Sequence, residues 1–312
     1  MSTPPEQEPA PEQAPGPGSN GDDGRSRRRS FARWAVLLAV LGVLCGSGVW
    51  AYHAQRQDQQ GAVVAGDARP ADRIELYVSV ERIDPAGQYL TLRVGLEPKG
   101  RYAEDGSDFP VEKVTVATAS DTQRELTFPA HQAPVAREVS IPLSGGTIAD
   151  YPFDRYQADL SFLAVVGTGP APTLVEVTST DPFYRLHKAK VTREHGAVYL
   201  TETVTRSRGT ILFACFMMAA MWAIALSVLT ATWVVVSQRR GLVWPAMGWM
   251  AASLFALVGL RNAAPGTPPI GALPDYAAFF WAELIIAGAL VATTAYGAHA
   301  ETRPAPPAAP AP

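Results

Sequence analysis

At 312 residues and a formal net charge of −3, the chain has room for one ordinary domain beside a membrane part, and its charge gives no sign of nucleic-acid binding. A mean hydropathy of +0.04 averages two unlike materials, a polar middle and very apolar flanks. Cys45 and Cys215 both fall inside apolar runs. The polar middle therefore has no thiol to staple it, and the two cysteines read as small hydrophobes rather than a redox or metal site.

Residues 1–30 are largely Pro, Glu, Gln and Gly with no periodic apolar face, which predicts a disordered cytoplasmic tail. Arg25, Arg27, Arg28, Arg29 and Arg33 then precede the apolar run Trp34 to Tyr52. Basic residues hold the cytoplasmic end of a membrane helix. The run also exceeds the apolar core of an export signal, about 7–15 residues. Residues 31–54 therefore read as an uncleaved signal anchor, transmembrane helix 1.

Residues 55–208 form a polar segment of domain size. After a flexible start over 55–72, the apolar residues alternate with period two, the pattern of half-buried strands. Ile74, Leu76, Val78 and Val80 share one face, as do Leu90, Leu92, Val94 and Leu96, with Asp84 to Gly87 as the turn between. Further strands are expected at 111–117, 135–141, 156–166, 174–178, 185–192 and 198–205. Many short strands between turn signals predict an extracytoplasmic antiparallel β-sandwich, immunoglobulin-like in outline.

Three more apolar runs follow, at 209–238, 241–262 and 274–298, with a Pro/Gly-rich outer loop at 263–273. Each meets the roughly 20 residues needed to cross a hydrocarbon core about 30 Å thick. They read as transmembrane helices 2 to 4, and 299–312 as a disordered cytoplasmic tail. The fold class is thus membrane α plus all-β, with one N-terminal and three C-terminal helices. The five N-terminal arginines place the N-terminus in the cytoplasm. Arg239 and Arg240 mark the next cytoplasmic turn, while Arg206 and Arg208 flank the second helix outside. The expected location is the plasma membrane, multi-pass, with both termini cytoplasmic and residues 55–208 extracytoplasmic.

Glu283 lies roughly 12 Å into its helix at about 1.5 Å per residue. An ionisable group at that depth marks either an ion path or a neutralised pair. Its expected partner is Arg261 at the end of the preceding helix, with Asp275 competing. Tyr151, Pro152, Phe153, Asp154 and Tyr156 form a candidate turn where sandwich meets membrane. There Pro152 sets the entry, Asp154 caps the turn, and Phe153 and Tyr156 pack at the edge. Only 206–209 separate the last strand from the second helix, so the sandwich should sit close to the bilayer. Ala219, Ala220, Ala223 and Ser227 give that helix a small-residue face suited to close packing, within one chain or in a homo-oligomer.

Enzyme signals are absent: there is no nucleophile elbow, phosphate loop, dinucleotide fingerprint or His-Glu-x-x-His. No catalytic residue, cofactor or metal ligand is predicted. His131, His187 and His195 read as solvated surface residues.

The run Tyr151-Pro152-Phe153-Asp154-Arg155-Tyr156 is one mark of a wider pattern. Another is Leu260-Arg261-Asn262 leading into Pro265-Gly266-Thr267-Pro268-Pro269-Ile270-Gly271. With an N-terminal anchor, a β-rich domain and three C-terminal helices, this resembles domain-of-unknown-function family 4436. The likeness covers most of the chain from the first helix to the last. It implies a bacterial multi-pass membrane protein of this architecture and supplies no activity or site residues.

The expected role is non-catalytic: binding, sensing or envelope assembly through the sandwich, toward an envelope protein, polymer or lipid. One alternative is a transporter or channel component using the bundle around Glu283. Another is an envelope enzyme with a composite site at the sandwich–membrane junction.

Overall fold

The computed structural model describes residues 61–238 and 244–302, together with positions 35, 38–39, 42–43, 45–50, 52–53 and 56. The tail over 1–30, Arg25, Arg27, Arg28, Arg29, Arg33, Arg239, Arg240 and residues 303–312 lie outside the described residues. The chain divides into two compact units, Met1–Trp50 and Ala51–Pro312. In the first, every described position is helical and most are exposed.

In the second unit, period-two patterning folds into strands much as alternation requires. They are β1 (Val63–Gly66), β2 (Arg73–Asp84), β3 (Tyr89–Lys99), β4 (Val114–Thr118), β5 (Glu125–Phe128), β6 (Arg137–Ser144), β7 (Arg155–Val166), β8 (Gly169–Pro170), β9 (Thr173–Ser179), β10 (Tyr184–Glu194) and β11 (Ala197–Arg206). The main path runs β1-β9-β2-β3-β6-β7-β11-β10; β4 pairs with β5 and β7, and β8 with β7. β6 serves both halves. Residues 137–142 pair with β3, while Leu143 and Ser144 pair with β7. The sheet thus folds over a single core that takes Ile74, Leu92 and Val177 from one half and Phe128, Phe162 and Leu200 from the other. Burying one such side chain stabilises by about 1.5–3 kcal/mol.

Two expectations need correcting. The sheet is mixed rather than wholly antiparallel, because β9 runs parallel to β2, Ile74 opposite Thr173 through Val80 opposite Ser179. The chain between them passes through the other half of the domain, and so long a connection permits parallel return. The stretch 55–72 also contains β1, which pairs antiparallel with β9. At the β2–β3 turn, Asp84 accepts from the backbone N–H groups of Ala86 and Gly87, both at 3.0 Å.

Three helices follow: α1 (Arg208–Ser237), α2 (Trp244–Asn262) and α3 (Phe280–Glu301), the last entered through a π turn at Asp275–Phe279. α3 thus continues to Glu301, into residues read from sequence as tail. Ser207 caps α1, its hydroxyl accepting from Thr210 N at 3.2 Å. The helices share a second core that includes Ala214, Met217, Met221, Met250, Leu257, Ala282 and Ile286. Trp222 Nε1 donates to Ala277 O across 3.0 Å, tying α1 to the π turn.

Arg208–Ser237 and Asp275–Ala300 are long and apolar enough to cross a membrane, and only 28% of each apolar window is buried within the protein. A soluble core helix would be mostly covered. Instead Phe216, Leu226, Trp233, Leu284 and Val291 stand exposed. Among the described residues α2 does not meet the same test. Its Pro245, its two tryptophans and Arg261 lower its apolar character.

Candidate functional site

Where β11 ends and α1 begins, elements from both cores converge on Arg206. Alternation along β11 turns Leu200, Glu202, Val204 and Arg206 inward. Chain direction sends β11 toward the helices, so the last inward residue arrives at the junction. Arg206 is fully buried and its Nε donates to both oxygens of Asp154, at 3.0 and 3.1 Å. Asp154 also accepts from the Tyr156 hydroxyl at 2.9 Å. The guanidinium lies over the rings of Tyr151 and Tyr184, 4.8 and 4.4 Å from their centroids. Such a cation–π contact is worth about 2 kcal/mol where water is excluded.

The two tyrosines belong to different cores: Tyr151 packs with the helices and Tyr184 with the sheet. The Pro/Gly-rich loop over 263–273 completes the enclosure. Gly266, at φ +74°, comes so close that a Cβ there would lie 2.6 Å from Arg206 Nη1. Among the described residues the η nitrogens and the two tyrosine hydroxyls have no hydrogen-bond partner. The guanidinium is held by one carboxylate, two ring faces and the close approach of a glycine. Burial pushes the Tyr151 hydroxyl up to about 12 and raises that of Tyr184 as well, the nearby Arg206 charge opposing both shifts. Both rings therefore stay neutral at physiological pH.

The loop into Tyr184 is fixed by Asp181. Its carboxylate accepts from Ile83 N at 2.9 Å and Phe183 N at 2.8 Å. Phe183 O in turn accepts from Ser207 N at 2.8 Å, which binds the end of the sheet to the helix cap. β11 meets α1 with only Ser207 between them.

The turn at 151–156 marked this place, though its side chains take other roles than expected. Tyr151 and Tyr156 are buried, Phe153 is 58% exposed, and the Tyr151–Pro152 bond is cis. Asp154 serves as counter-ion to Arg206 rather than as a turn cap. Arg206, read from sequence as a flanking charge, is the centre of the junction.

At the loop after α2, Arg261 pairs with Asp275 rather than Glu283. Nε and Nη2 each reach a carboxylate oxygen at 3.0 Å, and Nη2 also donates to Pro269 O at 2.8 Å. Asp275 further accepts from Gly271 N at 2.7 Å. Loop curvature brings Asp275 back onto the end of α2, whereas Glu283 is half-buried more than two turns farther along the chain. Among the described residues Glu283 has no ion-pair partner. Of the small residues on α1, Ala219, Ala223 and Ser227 are exposed, while Ala214 and Ala225 do the packing.

His187 is exposed and its Nε2 lies 2.7 Å from Thr205 Oγ1. His131 pairs with Glu104. His195 sits in the β10–β11 turn at φ 51°, so it does not meet His187. Both cysteines are free and exposed. Among the described residues no group of three or more His, Cys, Asp or Glu is placed to hold a metal ion.

Glu202 is a further group that sequence reasoning passed over. It is wholly buried on β11 opposite Ala158, and among the described side chains its carboxylate has no hydrogen-bond partner. Burial pushes its carboxyl up to about 7. Two-residue alternation from Leu200 was the signal that could have found both Glu202 and Arg206.

Fold and junction together define a mixed β-domain joined directly to an apolar helical bundle. Residues 64–204 match a family described as a domain of unknown function (DUF4436), the family the sequence resembles, and residues 206–300 match a second domain of unknown function (DUF8686). The boundary between the two matches falls at residue 205, immediately before Arg206. No curated protein matches the chain.

Proposed function

We propose that the chain is a multi-pass integral membrane protein that holds its β-domain at the extracytoplasmic face as a non-catalytic module for binding or envelope assembly. In this reading α1, α2 and α3 cross the bilayer, the apolar run over 31–54 supplies a fourth crossing, and both termini lie in the cytoplasm.

The observation that carries the reading is the Arg206 junction. A flexible tether would suffice merely to anchor a domain. Here a buried ion pair, two stacked tyrosines and a helix cap within one residue of the last strand fix the domain's orientation on the bundle. Fixed orientation serves a module that must meet a partner at a set height and angle, because pre-organisation lowers the ordering cost of association.

The test is site-specific photo-crosslinking in native membranes from Tyr77 and Tyr199, exposed aromatics on β2 and β11. A binding role predicts a discrete adduct with an envelope protein or polymer from at least one of them. It is contradicted if neither crosslinks and reconstituted vesicles instead show an ion flux that Glu283→Gln abolishes.

A further inference from the structure

We propose that the rim of the β-domain nearest the helices is itself a lipid-contacting surface, with Phe153, Phe183 and Ile270 as apolar anchors in the headgroup–acyl boundary of a phospholipid bilayer. This rests on the reading that the helices span a membrane, and adds that the β-domain is seated in the bilayer surface rather than raised above it.

The geometry starts from strand direction. β11 ends at the junction, and β7 and β10 begin there, so the loops entering them gather at one end of the domain. Two of those loops present large apolar side chains outward: Phe153 is 58% and Phe183 41% exposed. Neither is loose. Phe153 N donates to Asp150 O, and Phe183 is held through Asp181. A third segment, the loop after α2, presents Ile270 at 83% exposure, and the Arg261–Asp275 pair fixes that loop by its contacts to Pro269 and Gly271. Large apolar side chains gathered in the open at one end of a domain mark an interaction or membrane surface, whereas the same residues scattered singly would not.

Continuity identifies that neighbour. Phe183 O accepts from both Ser207 N and Thr210 Oγ1, which sets Phe183 beside the first turn of α1. The exposed apolar surface of α1 begins at Leu212 and Phe213, within the next turn. The exposed Arg208 stands in that first turn, where a long basic side chain reaches headgroup level from an apolar surface. The π turn and the start of α3 add Tyr276 and Trp281, both exposed, with the Trp281 indole donating to Tyr276 O at 2.8 Å. Amphipathic aromatics at helix ends sit at headgroup level. At the far end of the β10–β11 hairpin, roughly 33 Å away at about 3.3 Å per residue, the exposed turn is Glu194-His195-Gly196.

The experiment is spin labelling of the full-length protein in phosphatidylcholine–phosphatidylglycerol nanodiscs. With Cys45 and Cys215 replaced by serine, single nitroxides are placed through Phe153→Cys, Phe183→Cys and Ile270→Cys. Leu226→Cys on the exposed face of α1 and Glu194→Cys at the distal turn serve as references. Collision with oxygen and with a water-soluble nickel chelate gives depth. The proposal expects the rim labels to be shielded from nickel and enriched in oxygen, between the two references. Rim labels that match Glu194 while Leu226 stays lipid-like overturn the proposal and leave the membrane reading standing. A water-like Leu226 overturns both. All three rim sites are exposed, and thermal unfolding of each labelled protein confirms that it folds.

Discussion

Arg206 Nε lies 3.0 and 3.1 Å from the two carboxylate oxygens of Asp154, and neither side chain has any solvent exposure. Removing one member of such a pair strands a charge in low dielectric, whereas replacing both with apolar groups of similar volume is often neutral. Asp154→Ala should therefore destabilise the protein by about 3–5 kcal/mol. The double variant Arg206→Met, Asp154→Leu should recover most of that loss. Thermal unfolding in nanodiscs checks both, and equal losses in the single and double variants would contradict the account.

Gly266 and Gly271 separate backbone strain from crowding. Both hold positive φ, +74° and +93°. A Cβ at 266 would lie 2.6 Å from Arg206 Nη1, whereas one at 271 finds its nearest atom at 4.0 Å. Gly271→Ala should cost the conformational term alone, about 1–2 kcal/mol. Gly266→Ala should cost clearly more and should restore much of its loss when combined with Arg206→Met. Unfolding measurements on the three variants decide whether the loop packs on Arg206.

The loop after α2 depends on Asp275, which accepts from Arg261 and from Gly271 N. Asp275→Asn keeps the shape but loses the bidentate charge pairing. Hydrogen exchange and limited proteolysis over 263–273 should both accelerate in that variant. Glu283→Gln should leave the loop unchanged, because Glu283 takes no part in holding it.

Glu202 gives the β-domain a pH dependence of definite sign. Burial holds its carboxyl at about 7 in the folded state, against 4.5 for an ordinary glutamate. The folded state therefore binds the proton more tightly than the unfolded chain. Its contribution is full below about pH 4.5 and is lost as pH rises through 7, by up to about 3 kcal/mol. Melting temperature should fall between pH 5 and 8, and Glu202→Gln should flatten that profile and raise stability at pH 8. A profile unchanged by the substitution would show that the carboxylate is stabilised where it lies.

Much of this was legible in the sequence because alternation and apolar length are local signals. The faces of β2 and β3, the Asp84 turn and the apolar runs of α1 and α3 all follow from periods within a few residues. Pairing is not local. That β9 returns parallel to β2, or that Val63–Gly66 finds β9, depends on where distant segments lie. The site shows the same divide. Turn chemistry marked Tyr151 to Tyr156, but Asp154 finds its partner 52 residues away. Arg206 looked like a flanking charge because basic residues usually end membrane helices, although the strand's own period already turned it inward. Glu283 drew notice by its depth, yet the loop's prolines and Gly271 bend the chain so that Asp275 reaches Arg261 first.

The central claim is that the β-domain stands outside a membrane crossed by the helices that follow it. The most direct measurement is labelling with a membrane-impermeant maleimide in intact cells, in a background with Cys45 and Cys215 replaced. A cysteine at Tyr77 on β2 should label in intact cells, and one at Gln238, just past α1, should label only after lysis. The reverse pattern, or equal labelling of both in a fraction that does not sediment with membranes, would contradict the account.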